Sequence, residues 1–194
     1  AYHAASYPIM ESQGFAYMRG LSHQGVRYSL LTFETKETTA DSGKRISGLG
    51  MPLKWKHLTY HRKPRLLATW FDIACGILTV ALIVKRDRIK IIHSRGFIAA
   101  LMAFLPAKLL GAKFFFDTRG LLADKYVGGA LLTENSPTYK LMRWLEDMLV
   151  EKSDYFTVET NKHAQIIKGW RNGVSRKMDV VPCCIDMNKF NYSL

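Results

Sequence analysis

The chain has few of the residues that build disulfide-rich, fibrous or disordered proteins. Its three cysteines, Cys75, Cys183 and Cys184, form no CxxC pair and leave an odd thiol. They therefore give no support to a disulfide framework or a zinc knuckle, and a reducing compartment is the simpler interpretation. The 14 glycines and 6 prolines follow no period, which excludes a collagen-like chain. Disorder is disfavoured because 48% of the 194 residues are hydrophobic.

The sequence also lacks an apolar run of the length that a membrane-spanning helix needs. The best candidate, Ile73 to Val84, stops at the charged pair Lys85 and Arg86. It has roughly a dozen residues, whereas a span takes about 20, and we expect a buried helix instead. The chain opens on Ala1-Tyr2-His3 without the basic and apolar regions of a cleavable signal. The missing initiator Met leads us to expect that the natural chain begins further upstream.

Acidic residues are scarce, and the resulting excess of positive charge points to an anionic partner. There are 16 Asp and Glu against 28 Lys and Arg, which gives a formal net charge of +12 and a pI near 9.7. Phosphate-bearing ligands, anionic lipid and nucleic acid all fit such a balance.

Short apolar segments alternate with helical segments along the whole chain. Five segments have strand length and are rich in β-branched and aromatic residues: Arg27 to Glu34, Ile89 to His93, Lys113 to Asp117, Tyr155 to Glu159 and Asp179 to Pro182. Several show almost no polar alternation, which is typical of strands that helices cover on both faces. The pattern predicts an α/β fold with a doubly wound, mainly parallel sheet, in a single domain over residues 1–194.

Helix boundaries are marked by caps and glycines. Ser136 and Pro137 predict the start of a helix that ends at Ser153. Further helices are predicted from near Ser12 to before Gly25, over Ala68 to Lys85, from Phe97 to before Gly111, and from an Asn161 cap to about Trp170.

Two stretches break this alternation. Lys36 to Arg65 is polar, basic and glycine-containing. Gly120 to Ser136 is long for a connection between a strand and a helix, and loops of more than about 12 residues are usually functional or mobile.

Polar residues follow three of the apolar strands. They are His93-Ser94-Arg95, Asp117-Thr118-Arg119-Gly120 and Glu159-Thr160-Asn161. Ligands of open α/β sheets bind outside the carboxyl ends of the strands, so the three segments predict a site at that edge. Polar residues are also expected at strand ends because these ends are solvated in any protein. For each residue taken alone, solvation explains its polarity at least as well as a ligand site does.

Other motifs are weaker. The sequence contains neither GxGxxG after a strand nor GxxxxGK[ST], so it has no dinucleotide fingerprint and no Walker loop. His57 and His61 are four residues apart, but the surrounding Lys and Arg favour a solvated basic face over a metal site. In the same segment Trp55 and Tyr60 alternate with cations. That pattern suits anionic lipid or single-stranded nucleic acid, or a solvated loop whose aromatic rings pack inward.

Taken together, the segments resemble the N-terminal lobe of a family 4, GT-B-type glycosyltransferase. The resemblance rests on SYPIMESQGFAYMRGLSHQGVRYSLLTFE, WKHLTYHRKPRLLATWFDI, IIHSRGFIAALMAFLPAKLLGAKFFFDTRG, YFTVETNKHAQIIKGW and VVPCCIDMNKF, in that order. It covers nearly the whole chain. It implies a Rossmann-like lobe that chiefly binds the acceptor, with Tyr2 to Ser6 as the remnant of a clipped first strand. A C-terminal lobe, absent here, would bind the nucleotide-sugar, so the isolated chain is expected to be inactive.

The resemblance also implies roles for individual residues. Asp117 takes the position where many relatives have a His near the reacting sugar, and it would orient or deprotonate the acceptor hydroxyl or bind a donor hydroxyl. Arg119 would meet a phosphate or pair with Asp117. His93, Arg95 and Glu159 lie at neighbouring strand ends and would contact acceptor or donor. Ser12, Gln13 and Gly14 are expected in the loop after the first strand, where helix-start amides would approach the donor phosphates.

The resemblance implies a retaining transferase of envelope or exopolysaccharide synthesis. It would move a sugar from a nucleotide-sugar to a glycan or lipid-linked acceptor, with no metal or other cofactor. The expected location is cytoplasmic and peripheral, at the inner face of the cell membrane, with an anionic membrane surface as a partner. Two alternatives stay open: a nucleic-acid-binding α/β module and a non-catalytic remnant that acts as a scaffold.

Overall fold

The computed structural model describes residues 2–61, 63–169 and 178–183 of the chain. These residues form two compact units. Among the described residues, the first takes in the chain up to Asp72 together with Cys183, and the second runs from Ile73 to Pro182. The boundary falls inside a long helix.

The first unit is a helical N-terminal segment followed by two strands. Its elements are α1 (Pro8–Met10), a π-helical segment (Glu11–Phe15), α2 (Ala16–Ser22), β1 (Tyr28–Glu34), α3 (Lys36–Ser47) and β2 (Leu53–Thr59). The two strands are parallel, in register from Tyr28 opposite Leu53 to Glu34 opposite Thr59. Buried Ala5, Met10, Phe15 and Leu49 form the core of this unit.

The second unit follows the predicted strand-helix alternation. Its elements are α4 (Arg65–Asp87, which begins in the first unit), β3 (Ile91–Arg95), α5 (Phe97–Leu110), β4 (Lys113–Asp117), α6 (Leu122–Gly128), α7 (Pro137–Lys152), β5 (Tyr155–Val158), α8 (Asn161–Lys168) and β6 (Met178–Val180). The strands lie in the order β3-β4-β5-β6, and every pairing is parallel. Phe114, Phe116, Phe156 and Val158 are buried on the two central strands. The α/β, Rossmann-like fold class is confirmed.

The helix punctuation marks several boundaries in the structure. Ser136 caps α7 by accepting a hydrogen bond from the Tyr139 amide, with Pro137 as the first helical residue. Gly111 ends α5 in the left-handed conformation at φ 70°. One cap was misplaced: Thr160, not Asn161, accepts the hydrogen bond from His163 that begins α8. Threonine and asparagine are both common helix N-caps and are adjacent here, and in the structure the first of them occupies the N-cap position.

Two sequence expectations in the first unit are wrong. Lys36 to Arg65 does not break the alternation of strands and helices, because it contains α3 and β2. Lysines alternate with the other residues of β2 and conceal the apolar side of the strand, on which Trp55 donates a hydrogen bond to Thr32 at 2.9 Å. Tyr2 to Ser6 forms turns instead of a strand.

Helix α4 differs from the buried helix that was predicted. Leu67, Phe71, Leu78 and Leu82 along it are 57–70% exposed. Leu67–Asp87 is long and apolar enough to cross a membrane by length and composition, and 39% of its most apolar stretch is buried. The apolar run identified the helix but could not say which of its faces the unit covers.

Some expectations lie outside the described residues. These are the helix end at Trp170, residues 184–186 of the VPCCID segment, and Arg62 of the basic stretch.

Truncating Phe114 tests the core of the second unit. Its ring is fully buried and lies against Phe104 and Phe116, so Phe114→Ala leaves a cavity. We expect the free energy of unfolding to fall by about 3–5 kcal/mol in chemical denaturation. Leu109→Ala is the control, since Leu109 is 74% exposed, and its effect should stay below about 0.5 kcal/mol. Similar losses for both variants would contradict this assignment of the core.

Candidate functional site

The parallel register of the second unit brings three strand ends together at Asp117. Arg95, the last residue of β3, is opposite Asp117, the last residue of β4, and Asp117 is opposite Thr157 in β5. The Asp117 side chain is only 5% exposed. A carboxylate buried to this extent needs charged or hydrogen-bonding partners.

Asp117 has such partners on both carboxylate oxygens. Arg119 donates from Nε to Oδ2 at 2.8 Å, and its Nη2 forms an ion pair with the same oxygen at 2.8 Å. Thr157 donates its hydroxyl proton to Oδ1 at 3.1 Å. Arg95 Nη1 and His93 Nε2 lie 3.6 and 3.7 Å from Oδ2. The site is a carboxylate surrounded by two guanidinium groups and an imidazole.

The charges around Asp117 determine its protonation state. Burial by itself would raise the pKa of this carboxyl, but His93, Arg119 and Arg95 outweigh burial, and its pKa lies below the ordinary 3.8. Burial likewise acts to lower the pKa of Arg119, whereas Asp117 and Glu159 raise it above the usual value. Both groups are therefore charged near neutral pH, and Asp117 is a weak base.

The outer part of the site is open to solvent. Arg119 Nη1 contacts Glu159 Oε1 at 3.2 Å, so one guanidinium group joins the ends of β4 and β5. The His93 side chain is 50% exposed and its ring stacks on Phe115 at 4.5 Å. Five predicted residues, His93, Arg95, Asp117, Arg119 and Glu159, thus lie together. A ligand approaching the edge would meet His93 and Glu159 before the buried carboxylate.

The turn after Arg119 is held in place by its neighbours. Gly120 has φ 83°, and a Cβ there would lie 2.7 Å from Lys125 Cε. Lys125 Nζ donates to the Arg119 carbonyl at 2.7 Å. A residue other than glycine would both strain the turn and displace this lysine.

The long connection that follows is partly helical, since it begins with α6. Glu146 of α7 lies beneath it and accepts hydrogen bonds from the amides of Leu122 at 2.6 Å and Ala123 at 3.3 Å. Burial raises the pKa of Glu146 to about 7, although these two hydrogen bonds oppose the shift. Sequence reasoning missed Glu146. The available signal was its position between Leu145 and Leu149, on the apolar side of the helix.

Ser12, Gln13 and Gly14 are not in a loop after a strand, contrary to the sequence expectation. They belong to the π-helical segment Glu11–Phe15 of the first unit. The Ser12 hydroxyl donates to the Pro8 carbonyl at 3.2 Å, and a Cβ on Gly14 would lie 3.1 Å from Met10 Cε. The glycine therefore allows the helix to pack closely on Met10. No strand precedes this segment among the described residues.

The first unit contains two buried carboxylates that sequence reasoning missed. Glu34 accepts hydrogen bonds from the Ala5 amide and from the hydroxyls of Thr32, Thr38 and Ser42, at 2.7–2.9 Å. The sequence signal that could have revealed Glu34 is its position at the end of β1, directly before the threonine-rich start of a helix.

The second buried carboxylate is Asp72, which bonds His61 Nδ1 at 2.6 Å and the Tyr2 hydroxyl at 3.0 Å. His61 therefore pairs with an acid instead of lying on a solvated basic face. No group of three His, Cys, Asp or Glu side chains in the described parts of the chain is placed to hold a metal ion.

Comparison with known proteins now assigns the family. The sequence profile of Glycosyltransferase Family 4 matches residues 15–189, and the chain belongs to this family. The match confirms the resemblance to an N-terminal GT-B-type lobe. No curated protein matches the sequence.

Two solved structures are similar to the chain, and the first of them shows the likeness of fold. One is a Listeria monocytogenes protein assigned as a UDP-N-acetylglucosamine 2-epimerase, with a TM-score of 0.62 and 8% identity over 92% of this chain and 43% of that one. The other is Staphylococcus aureus MnaA with UDP, with a TM-score of 0.45 and 11% identity over 79% and 44% of the two chains. The chain thus spans less than half the length of either structure.

Acid titration tests the charge cluster. The pKa of Asp117 is lower in the folded than in the unfolded chain, so its stabilisation is present above pH 3.8 and is lost as the pH falls through the folded value. Asp117→Asn leaves Arg119 and Arg95 without their shared anion. We expect a loss of about 3 kcal/mol of unfolding free energy at pH 7 that shrinks at acid pH. If the difference in unfolding free energy between the parent and Asp117→Asn stayed constant from pH 7 to acid pH, the result would contradict the charge cluster described here.

Glu146 predicts a pH dependence of the opposite sign. Its folded pKa of about 7 lies above the ordinary 4.5, so folding becomes less favourable as the pH rises between these values. The full change corresponds to about 3 kcal/mol. Glu146→Gln should flatten the stability profile over this interval, measured by urea denaturation at several pH values. Glu151→Gln, at an exposed position of the same helix, should leave the profile unchanged.

Proposed function

We propose that the chain is the acceptor-binding lobe of a retaining glycosyltransferase. The enzyme transfers a sugar from a nucleotide-sugar to a glycan or lipid-linked acceptor in envelope or exopolysaccharide synthesis. The observation that supports this most is the ionised, nearly buried Asp117 at the carboxyl edge of the parallel strands, where ligands of open α/β sheets bind. Membership of Glycosyltransferase Family 4 supports the reaction class.

The geometry favours an orienting role for Asp117 over that of a general base. Its lowered pKa makes it a weak proton acceptor, and Arg119 holds Oδ2 through a hydrogen bond from Nε and an ion pair from Nη2. A carboxylate held in this way can accept a hydrogen bond from a sugar hydroxyl and fix its position. His93 is half exposed, lies beside the carboxylate, and belongs to the residue type that most often acts as a general base in enzymes.

Arg119 has a positioning role in this proposal. Its guanidinium group contacts both Asp117 and Glu159, and it is only 15% exposed. Of the two roles considered for it, pairing with Asp117 fits the geometry better than contact with a phosphate. Glu159, at 30% exposure, and His93 are the groups an acceptor would reach first.

The remaining parts of the proposal concern what binds this lobe. The nucleotide-sugar is bound mainly by a C-terminal lobe of the same natural chain, so the present chain alone is inactive. The reaction requires no metal ion. The enzyme works at the cytoplasmic side, in contact with an anionic membrane that presents the acceptor. The net charge of +12 supports this contact.

Nucleic-acid binding is less well supported. The aromatic and basic stretch that suggested it forms β2, where Trp55 donates to Thr32 and packs against His57 at 4.9 Å. Its indole therefore has partners within the unit and is not an open platform for stacking bases. The remaining alternative is that the protein is a scaffold without catalytic activity. The following measurement distinguishes this alternative from the proposed function.

Asp117→Asn in the full-length enzyme tests the orienting role. The amide keeps the shape but removes the charge, and we expect kcat for sugar transfer to a lipid-linked acceptor to fall about 100-fold. Asp154→Asn is the matched control, because Asp154 accepts a hydrogen bond from the Phe114 amide at the opposite end of β4 and pairs with Lys113. It should alter stability but leave kcat within about twofold. Circular dichroism checks that both variants fold, and unchanged turnover of Asp117→Asn would count against the role.

A further inference from the structure

The end of the second unit opposite Asp117 contains an open basic cavity. It has a volume of 590 Å³ and lies at the amino ends of the strands, where Lys90 precedes β3 and Lys113 begins β4. Lys85 and Arg88 complete its cationic lining, and Val84, Ile89, Leu110 and Gly111 supply the rest. We call the four cations the basic end.

The fold gathers these cations from separate parts of the chain. Helices α4 and α5 run in the same direction, since Gly76 lies against Met102 and both Val84 and Leu110 line the cavity. Arg88 ends α4 in the left-handed conformation at φ 51°, and the Lys113 amide donates to the Lys90 carbonyl at 2.8 Å. Cations stabilise the last turn of a helix, but Arg88, Lys90 and Lys113 lie beyond both helices. Helix stability therefore accounts for Lys85, in the last turn of α4, but not for the other three cations of the cluster.

Few anions neutralise the basic end. No acidic residue lines the cavity. Asp154 pairs with Lys113 at 3.0 Å, whereas Lys85, Arg88 and Lys90 have no ion pair with any residue that the structure describes. The cluster therefore presents a positive surface to solvent.

Exposed leucines lie within one turn of these cations. Leu82 on α4 is 63% exposed, and Leu109 and Leu110 at the end of α5 are 74% and 43% exposed. Single exposed leucines are ordinary. Leucines beside several unneutralised cations match a surface that lies at the boundary between lipid headgroups and acyl chains.

We propose that the basic end docks on an anionic phospholipid bilayer. Lys85, Arg88 and Lys90 contact headgroup phosphates, while Leu82 and Leu109 enter the interface. A second copy of the chain is a poor occupant, because a twofold contact would place the cations against the same cations. The proposed function includes contact with an anionic membrane, and the inference rests on it only because it names the surface that makes this contact. It leaves the edge at Asp117 free for the reaction.

Vesicle binding by the full chain tests the proposal. The probes are vesicles of equal parts phosphatidylcholine and phosphatidylglycerol, with pure phosphatidylcholine as reference, in a co-sedimentation assay. Removing three charges by Lys85→Gln, Arg88→Gln and Lys90→Gln should lower the partition coefficient at least ~10-fold, because each cation near an anionic surface adds to binding. Leu82→Gln with Leu109→Gln should also weaken it.

Matched variants separate this surface from net charge. Lys36→Gln, Lys44→Gln and Lys140→Gln remove the same charge at exposed positions elsewhere and should leave binding within about twofold. Lys54→Gln with Lys56→Gln tests the basic strand β2. Equal losses in all charge variants, a loss confined to the β2 pair, or unchanged binding of the first triple variant would overturn the proposal. Equal binding to both kinds of vesicle would do so as well.

Membrane binding and catalysis can fail independently. In the full-length enzyme, the variants of the basic end should turn over a soluble acceptor at the parent rate, since these residues lie at the other end of the strands. Asp117→Asn should bind vesicles as the parent does. If Asp117→Asn weakened vesicle binding, the result would contradict the separation of the two surfaces.

Discussion

The structure of the second unit depends on one constraint, the parallel register of β3, β4 and β5. This register places Arg95, Asp117 and Thr157 side by side, although they are distant in the chain. Because every strand runs the same way, all polar residues that follow the strands meet at one edge. Arg119 and Glu159 then join the same cluster through a single guanidinium group. A shift of one residue would turn Asp117 to the other face of the sheet and dissolve the site.

Buried carboxylates organise both units in a similar manner. Glu34 and Asp72 in the first unit, and Asp117 and Glu146 in the second, are almost inaccessible to water. Each accepts a hydrogen bond from a residue that is distant in the chain, so each connects two separate segments of its unit. Their electrostatic states differ, however. Cations keep Asp117 ionised, whereas burial brings the pKa of Glu146 to about 7. Only the first arrangement presents a permanent charge beside solvent-accessible polar groups.

The two ends of the parallel strands have different chemistry, and each end is the basis of one of the two proposals made above. The carboxyl end has a mixed cluster of acids and bases that can orient a hydroxyl-bearing ligand. The amino end has cations with exposed leucines beside them and suits a surface rather than a small molecule. A peripheral enzyme acting on a lipid-linked acceptor would use both ends.

The sequence by itself determined the fold class, five of the six strands in the described residues, and the cluster at Asp117. Apolar strands, cap residues and glycines are local signals, and the carboxyl ends of parallel strands must meet. It could not reveal β2, whose lysines mask its apolar side. It also could not reveal that the helix predicted from near Ser12 begins earlier, at Pro8, and therefore includes Ser12, Gln13 and Gly14. Only the tertiary structure decided that Glu146 supports the connection after Arg119, that His61 pairs with Asp72, and that one face of α4 stays exposed. Each of these depends on which distant segment lies against the residue, and side-chain burial and pairing are not encoded in any local pattern.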